Sequence, residues 1–142
     1  MKVFLGGTTN NSRWRDKLIP LLKCEYFNPV VKDWNAAAQE EELRQRAICD
    51  YRLYVITPKY SGVYAIAEIV DDSNKRPGKT ILTILREDGG DFFDHDQLKS
   101  FEMLASLVNK NGSAVLYDLQ DTAEYINDIK EAMSAPTRFI FS

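Results

Sequence analysis

Short apolar runs alternate with amphipathic stretches along the whole chain. Lys2–Leu5 (KVFL) is apolar and β-prone, and Gly6-Gly7 ends it. Ser12 is a good cap for a helix running through Trp14, Leu18 and Leu21-Leu22. Glu25–Phe27 predicts a short second strand closed by Asn28-Pro29, and Ala36–Cys49, with no Gly or Pro, predicts a helix. Tyr51–Ile56 (YRLYVI) is the strongest strand signal, stopped by Thr57-Pro58. Val63–Asp72 predicts a helix, Ser73–Gly78 a polar turn and Thr80–Leu85 a buried strand. In Asp96–Val108, Leu98, Phe101, Leu104 and Leu107-Val108 share one helical face. Ala114–Tyr117 and Thr122–Met133 repeat the strand–helix step before a tail containing Arg138–Phe141.

Five strands alternating with helices predict a parallel, three-layer α/β sandwich, since parallel neighbours need crossovers of a dozen or more residues. The order 2-1-3-4-5, as in flavodoxin-like folds, needs the fewest assumptions at this length. Such sheets bind ligands at the carboxyl ends of their strands where the order reverses, here between the first and third. That rule selects Gly6–Arg15, Thr57–Glu68 and Asn28–Trp34.

Composition narrows the picture further. The chain of 142 residues is expected to form a single domain, 44% of it hydrophobic and 27% charged, which is ordinary globular composition. Eighteen Lys and Arg against 21 Asp and Glu leave a net charge of −3, unlike the basic face of a nucleic-acid binder. No apolar run suits a membrane span or a signal peptide. Cys24 and Cys49 lack CxxC spacing and fit a reducing cytoplasm, and with one His the sequence offers no metal site.

Glu68 is the most distinctive charge. Five apolar or aromatic residues, Val63 to Ala67, precede it. One reading is a partly desolvated carboxylate beside a cleft, able to act as nucleophile or acid/base. The other is an exposed residue on a polar stripe shared with Asp72 at i+4. Gly6-Gly7-Thr8-Thr9-Asn10-Asn11-Ser12-Arg13 has neither GxGxxG nor a Walker pattern. It reads either as a capped tight turn or as a site for a phosphate or sugar hydroxyl. Glu40-Glu41-Glu42 is expected in a first helical turn, complementing the dipole, with one of them as an alternative cleft residue. Asp50 reads as a turn residue. Trp34, Tyr60 and Tyr64 are packing residues or stacking platforms for a flat base. Asp71-Asp72 with Asn74-Lys75-Arg76 reads as a solvated helix end, and His95 has no partner for a hydrolase triad.

Several blocks together resemble the nucleoside 2-deoxyribosyltransferase-like family: Phe4–Thr8, Tyr26–Val31, Cys49–Tyr51 through Ile56–Pro58, and Gly62–Pro77 (GVYAIAEIVDDSNKRP). In that family a glycine-rich approach leads into a helix bearing a nucleophilic Glu, and Glu68 falls on that position. The resemblance implies a retaining double displacement at the anomeric carbon of a deoxyribonucleoside. It places Glu42 where the family has an Asp on the helix before the third strand. Ser61 and Gly62 lie nearest the family's sugar-positioning residue. Gly6, Gly7, Thr8, Thr9, Asn10, Ser12, Arg13, Asn28, Trp34 and Tyr64 complete the expected substrate site. A nucleoside or nucleotide substrate, no cofactor and a homo-oligomer are implied. Two alternatives stay open: a 5′-monophosphate N-glycosidase, with Thr8, Thr9, Asn10, Ser12 and Arg13 on the phosphate, and a nucleotide-sensing module without turnover.

Overall fold

The computed structural model describes residues 1–134; the tail with Arg138–Phe141 lies outside them. Five parallel strands form the main sheet: β1 (Lys2–Gly7), β2 (Glu25–Phe27), β3 (Tyr51–Ile56), β4 (Thr80–Ile84) and β7 (Ala114–Leu116). Their order is β2-β1-β3-β4-β7, the flavodoxin-like arrangement expected once the sheet strands are counted in sequence. A two-stranded antiparallel hairpin, β5 (Glu87–Asp88) and β6 (Asp91–Phe92), is inserted after β4. It was not anticipated, although Asp88-Gly89-Gly90 carries its signal. Gly89 and Gly90 have φ of 57° and 89°, the left-handed conformations that a tight hairpin turn requires.

Helices α1 (Trp14–Leu18), α2 (Ala36–Ile48), α3 (Tyr64–Lys75), α4 (His95–Lys110) and α5 (Leu119–Ser134) flank the sheet. The three central strands are apolar on both faces because both are covered. Phe4, Tyr54, Ile56, Leu82 and Ile84 join Ile69 of α3 and Phe101 of α4 in one core. Val3, Leu5, Leu53, Val55 and Ile81 pack against Trp14 and Leu18 of α1 and Ile126 of α5 in the other. This is the period-2 alternation of a strand, read out as two separate cores. The edge strands β2 and β7 are short and part-exposed.

Three local expectations are corrected. α1 begins at Trp14 with Arg13 at the cap position and no side-chain cap. The Ser12 hydroxyl instead donates to the buried Asp88 carboxylate at 2.5 Å, a charge-assisted bond. α2 begins at Ala36, capped by Asn35, whose side chain accepts from the Ala38 N–H. Glu40–Glu42 therefore stand beyond the first turn, and α2 carries no acid there. Finally, α3 continues to Lys75, and Asp72, far from being solvated, is fully buried.

Candidate active site

β1 and β3 are hydrogen-bonded neighbours, with β2 outside the one and β4 outside the other. Chain connections therefore leave in opposite directions at their carboxyl ends and open a crevice there. Gly6 and Gly7 form its floor. A Cβ on Gly6 would lie 2.7 Å from the Tyr54 ring, and one on Gly7 would lie 2.1 Å from the Val55 carbonyl oxygen. Gly7 also has φ +113°, so only glycine lets β1 run this close to β3 while turning into the next loop. The Thr8 N–H donates to the Val55 carbonyl at 2.9 Å, and Thr57 N–H donates to the Thr8 hydroxyl oxygen at 3.1 Å. The loops after β1 and β3 are thereby tied together.

Over this floor stands Glu68, in the second turn of α3. It is 8% exposed and lines a cleft of about 240 Å³ with Gly6, Gly7, Thr9, Trp34 and Glu42. A second recess of about 190 Å³, bounded by Tyr60, Ser61, Gly62 and Tyr64, also opens onto Glu68. Burial pushes the Glu68 carboxyl up to about 7, with Glu42, Asp72 and Asp71 adding to the rise and Arg46 opposing it. Glu42, half-buried on α2, is raised by burial too, with Arg15 and Arg46 opposing. Two carboxyl groups with elevated proton affinity thus share one cleft. That combination can supply a nucleophile and a proton donor to one bound ligand.

The cation facing Glu42 is Arg15. Its Nε and Nη2 donate to the Leu5 carbonyl at 3.1 and 3.0 Å, and its Nη1 donates to the Thr8 carbonyl at 2.8 Å. The guanidinium lies 4.3 Å over the Trp14 ring, whose Nε1–H also donates to the Thr8 carbonyl. Burial lowers the Arg15 pKa to about 10, with Glu42 opposing the fall, so the group stays cationic at neutral pH. Three of its five N–H donors hold the loop after β1, and the side chain also lines the cleft.

Residues 1–84 of the 142 match the family described as nucleoside 2-deoxyribosyltransferase like. The chain belongs to this family. No curated protein and no solved structure matches the chain. The segment matching the nucleoside 2-deoxyribosyltransferase-like family runs from β1 through β4 and contains every residue of both clefts. The β5–β6 hairpin, α4, β7 and α5 lie beyond it.

Within this family member the structure brings together Gly6, Gly7, Thr8, Thr9, Trp34, Glu42, Ser61, Gly62, Tyr64 and Glu68 around the two clefts. Asn10, Ser12, Arg13 and Asn28 line neither. The Asn10 amide donates to the Lys59 carbonyl, and Arg13 is exposed beside Asp16 at 3.5 Å. The Asn28 side chain accepts from Val30 N–H at 3.1 Å, which shapes the loop whose Pro29, Val30 and Val31 do line the cleft. The polar-stripe reading of Glu68 and Asp72 fails, because both are buried. Arg15 and Arg46 were not singled out from the sequence. The Glu42–Arg46 spacing of i, i+4 put the second in reach of the cleft, but nothing local shows that Arg46 crosses to α3. Among the described residues no cluster of three His, Cys, Asp or Glu side chains could hold a metal ion. No helix there is long and apolar enough to cross a membrane.

Proposed function

We propose that this protein cleaves the N-glycosidic bond of a 2′-deoxynucleoside and passes the deoxyribosyl group to a second base. One Glu68 carboxylate oxygen bonds to C1′ as the C1′–N bond breaks, and the electron pair leaves with the base. Glu42 in its acid form delivers a proton to the departing nitrogen, because an anionic base leaves poorly. An incoming base then attacks C1′ from the vacated side, the ester to Glu68 breaks, and the proton from the incoming base returns to Glu42. Two inversions at one carbon give net retention.

The observation that carries this reading is the buried Glu68 carboxyl at the strand ends, titrating near 7 beside the raised Glu42 carboxyl. A carboxylate of that basicity is ionised in useful amount at neutral pH and more nucleophilic than an ordinary one. Exposed Trp34 and Tyr64 border the clefts and offer flat faces for a base. Charge favours a neutral nucleoside over a 5′-monophosphate. The first cleft carries two acids against one cation, Arg15, which spends three of its five N–H donors on the Leu5 and Thr8 carbonyls.

Chromatography of free base tests the proposal. A deoxynucleoside is offered with and without a second base, beside its 5′-monophosphate. Base exchange at a rate exceeding hydrolysis, lost in Glu68→Ala, is the expected result. Release faster from the monophosphate favours the hydrolase, and undiminished release by Glu68→Ala removes Glu68 from the mechanism.

A further inference from the structure

Behind the cleft, Arg46 of α2 reaches across to α3. Glu68 and Asp72 are one turn apart on α3, so their carboxylates sit on the same face, and Arg46 of α2 lies across both. The sharing is unequal. Arg46 Nε donates to Asp72 Oδ2 at 3.0 Å and Nη2 donates to Asp72 Oδ1 at 3.1 Å, a two-pronged fork. Nη2 also donates to Asp71 at 2.9 Å, and Nε to the Tyr54 hydroxyl oxygen at 3.1 Å. Toward Glu68 it offers only an ionic contact, Nε to Oε2 at 3.4 Å, and a long bond to the Glu68 backbone carbonyl at 3.5 Å. Asp72 in turn is held from every side. The Tyr54 hydroxyl donates to it, and Arg76 donates to Oδ1 at 2.8 and 2.6 Å.

We propose that Arg46 and Asp72 are positioning residues for Glu68. Asp72 captures the guanidinium in a fork and keeps it from closing on the Glu68 carboxylate, whose lone pairs stay free for the cleft. A carboxylate gripped in a fork of its own has its oxygen lone pairs tied up in strong hydrogen bonds and makes a poor nucleophile. A buried carboxylate with no cation near it stays protonated and makes none. Placing one guanidinium beside Glu68 but committing it to Asp72 avoids both outcomes. The inference rests on Glu68 being the nucleophile proposed above.

Arg15 of α1 shares the first cleft with Glu68, and the Tyr60 and Tyr64 phenols share the second. Arg46 and Glu42 come from α2, Asp71 and Asp72 from α3, and Tyr54 from β3 beneath. Lys75 sits 3.1 Å from Asp71, and Arg76 anchors Asp72 from the end of α3. Burial and Asp72 hold the Tyr54 phenol well above its ordinary value, so it remains a donor to Asp72 at any working pH.

Carbon-13 NMR of the full chain, labelled at glutamate carboxyls, reads the Glu68 titration without reference to turnover. Its signal is assigned by its absence in Glu68→Gln. In Asp72→Asn a like charge is lost and the freed guanidinium also turns to Glu68, so the midpoint falls by about one pH unit or more. That fall is larger than in Asp71→Asn, which removes a like charge but leaves the Arg46–Asp72 fork intact. In Arg46→Gln the midpoint rises by a similar amount, about one pH unit, because the opposing cation is gone. The opposite signs matter, since mere loosening of α3 would hydrate Glu68 and lower both. Should Asp72→Asn fail to fold, Arg46→Gln decides alone, as Asp72 there keeps Arg76 and Tyr54. An equal fall in Asp71→Asn and Asp72→Asn, or midpoints that stay fixed or move the same way in Asp72→Asn and Arg46→Gln, overturns the proposal. Base release measured alongside separates the two claims. If Glu68→Gln leaves release intact, Glu68 is not the nucleophile, while the titration still reports on Arg46 and Asp72.

Discussion

Glu68→Gln removes one charge while keeping the side-chain shape, and it changes the pH dependence of stability as well as turnover. Burial raises the Glu68 carboxyl from 4.5 to about 7 in the folded chain. The folded state therefore binds this proton more tightly than the unfolded state does. The resulting stabilisation is fully present below the ordinary carboxyl value and is lost as pH rises through about 7. One pH unit corresponds to about 1.4 kcal/mol, so ionising Glu68 costs folding about 3 kcal/mol between about pH 4 and about pH 8. Glutamine does not titrate. The stability difference between variant and wild type is therefore about 3 kcal/mol more favourable to the variant at the higher pH. Any packing change made by the amide is present at both pH values and subtracts out. For a chain of this size the gain is a rise in Tm of roughly 10 °C. Urea unfolding followed by the fluorescence of buried Trp14 measures it at several pH values and fixed ionic strength. Parallel stability profiles for the two proteins refute the buried, proton-hungry carboxyl on which the mechanism depends.

Gly7→Ala should destabilise the fold by at least about 3 kcal/mol, from a disfavoured backbone conformation plus loss of the Thr8–Val55 hydrogen bond. Gly78→Ala, where the added methyl meets open space, should stay within about 0.5 kcal/mol of wild type in the same urea titration. Trp34→Ala should leave Tm unchanged, because the indole is 58% exposed, but raise KM for the nucleoside about tenfold through lost stacking. Glu42→Gln should lower kcat for base release roughly 100-fold and flatten the alkaline limb of its pH profile, with the largest loss for the most basic leaving group. An unchanged profile in steady-state assays would mean that the proton comes from elsewhere.

The order of elements and the burial of the central strands are local properties. Val3–Leu5 and Leu53–Ile56 are unbroken apolar runs, Ile81–Ile84 is interrupted only by Thr83, and such short runs between turn residues suit strands covered on both faces. Glu68 stood out for the same reason, since a lone carboxylate within an apolar stretch must either be buried or sit at its edge. Tertiary structure decided everything that depends on a partner far away in sequence. Ser12 looked like a helix cap until Asp88, brought over it by the hairpin, claimed the hydroxyl. Asp72 looked solvated until Arg46, Arg76 and Tyr54 enclosed it. Arg15 reads as a surface cation on a short helix, yet it folds back onto the Leu5 and Thr8 carbonyls. Hydrophobic periodicity specifies which face turns inward. Which charges meet there depends on where the sheet brings separate helices together, and no window of neighbouring residues carries that information.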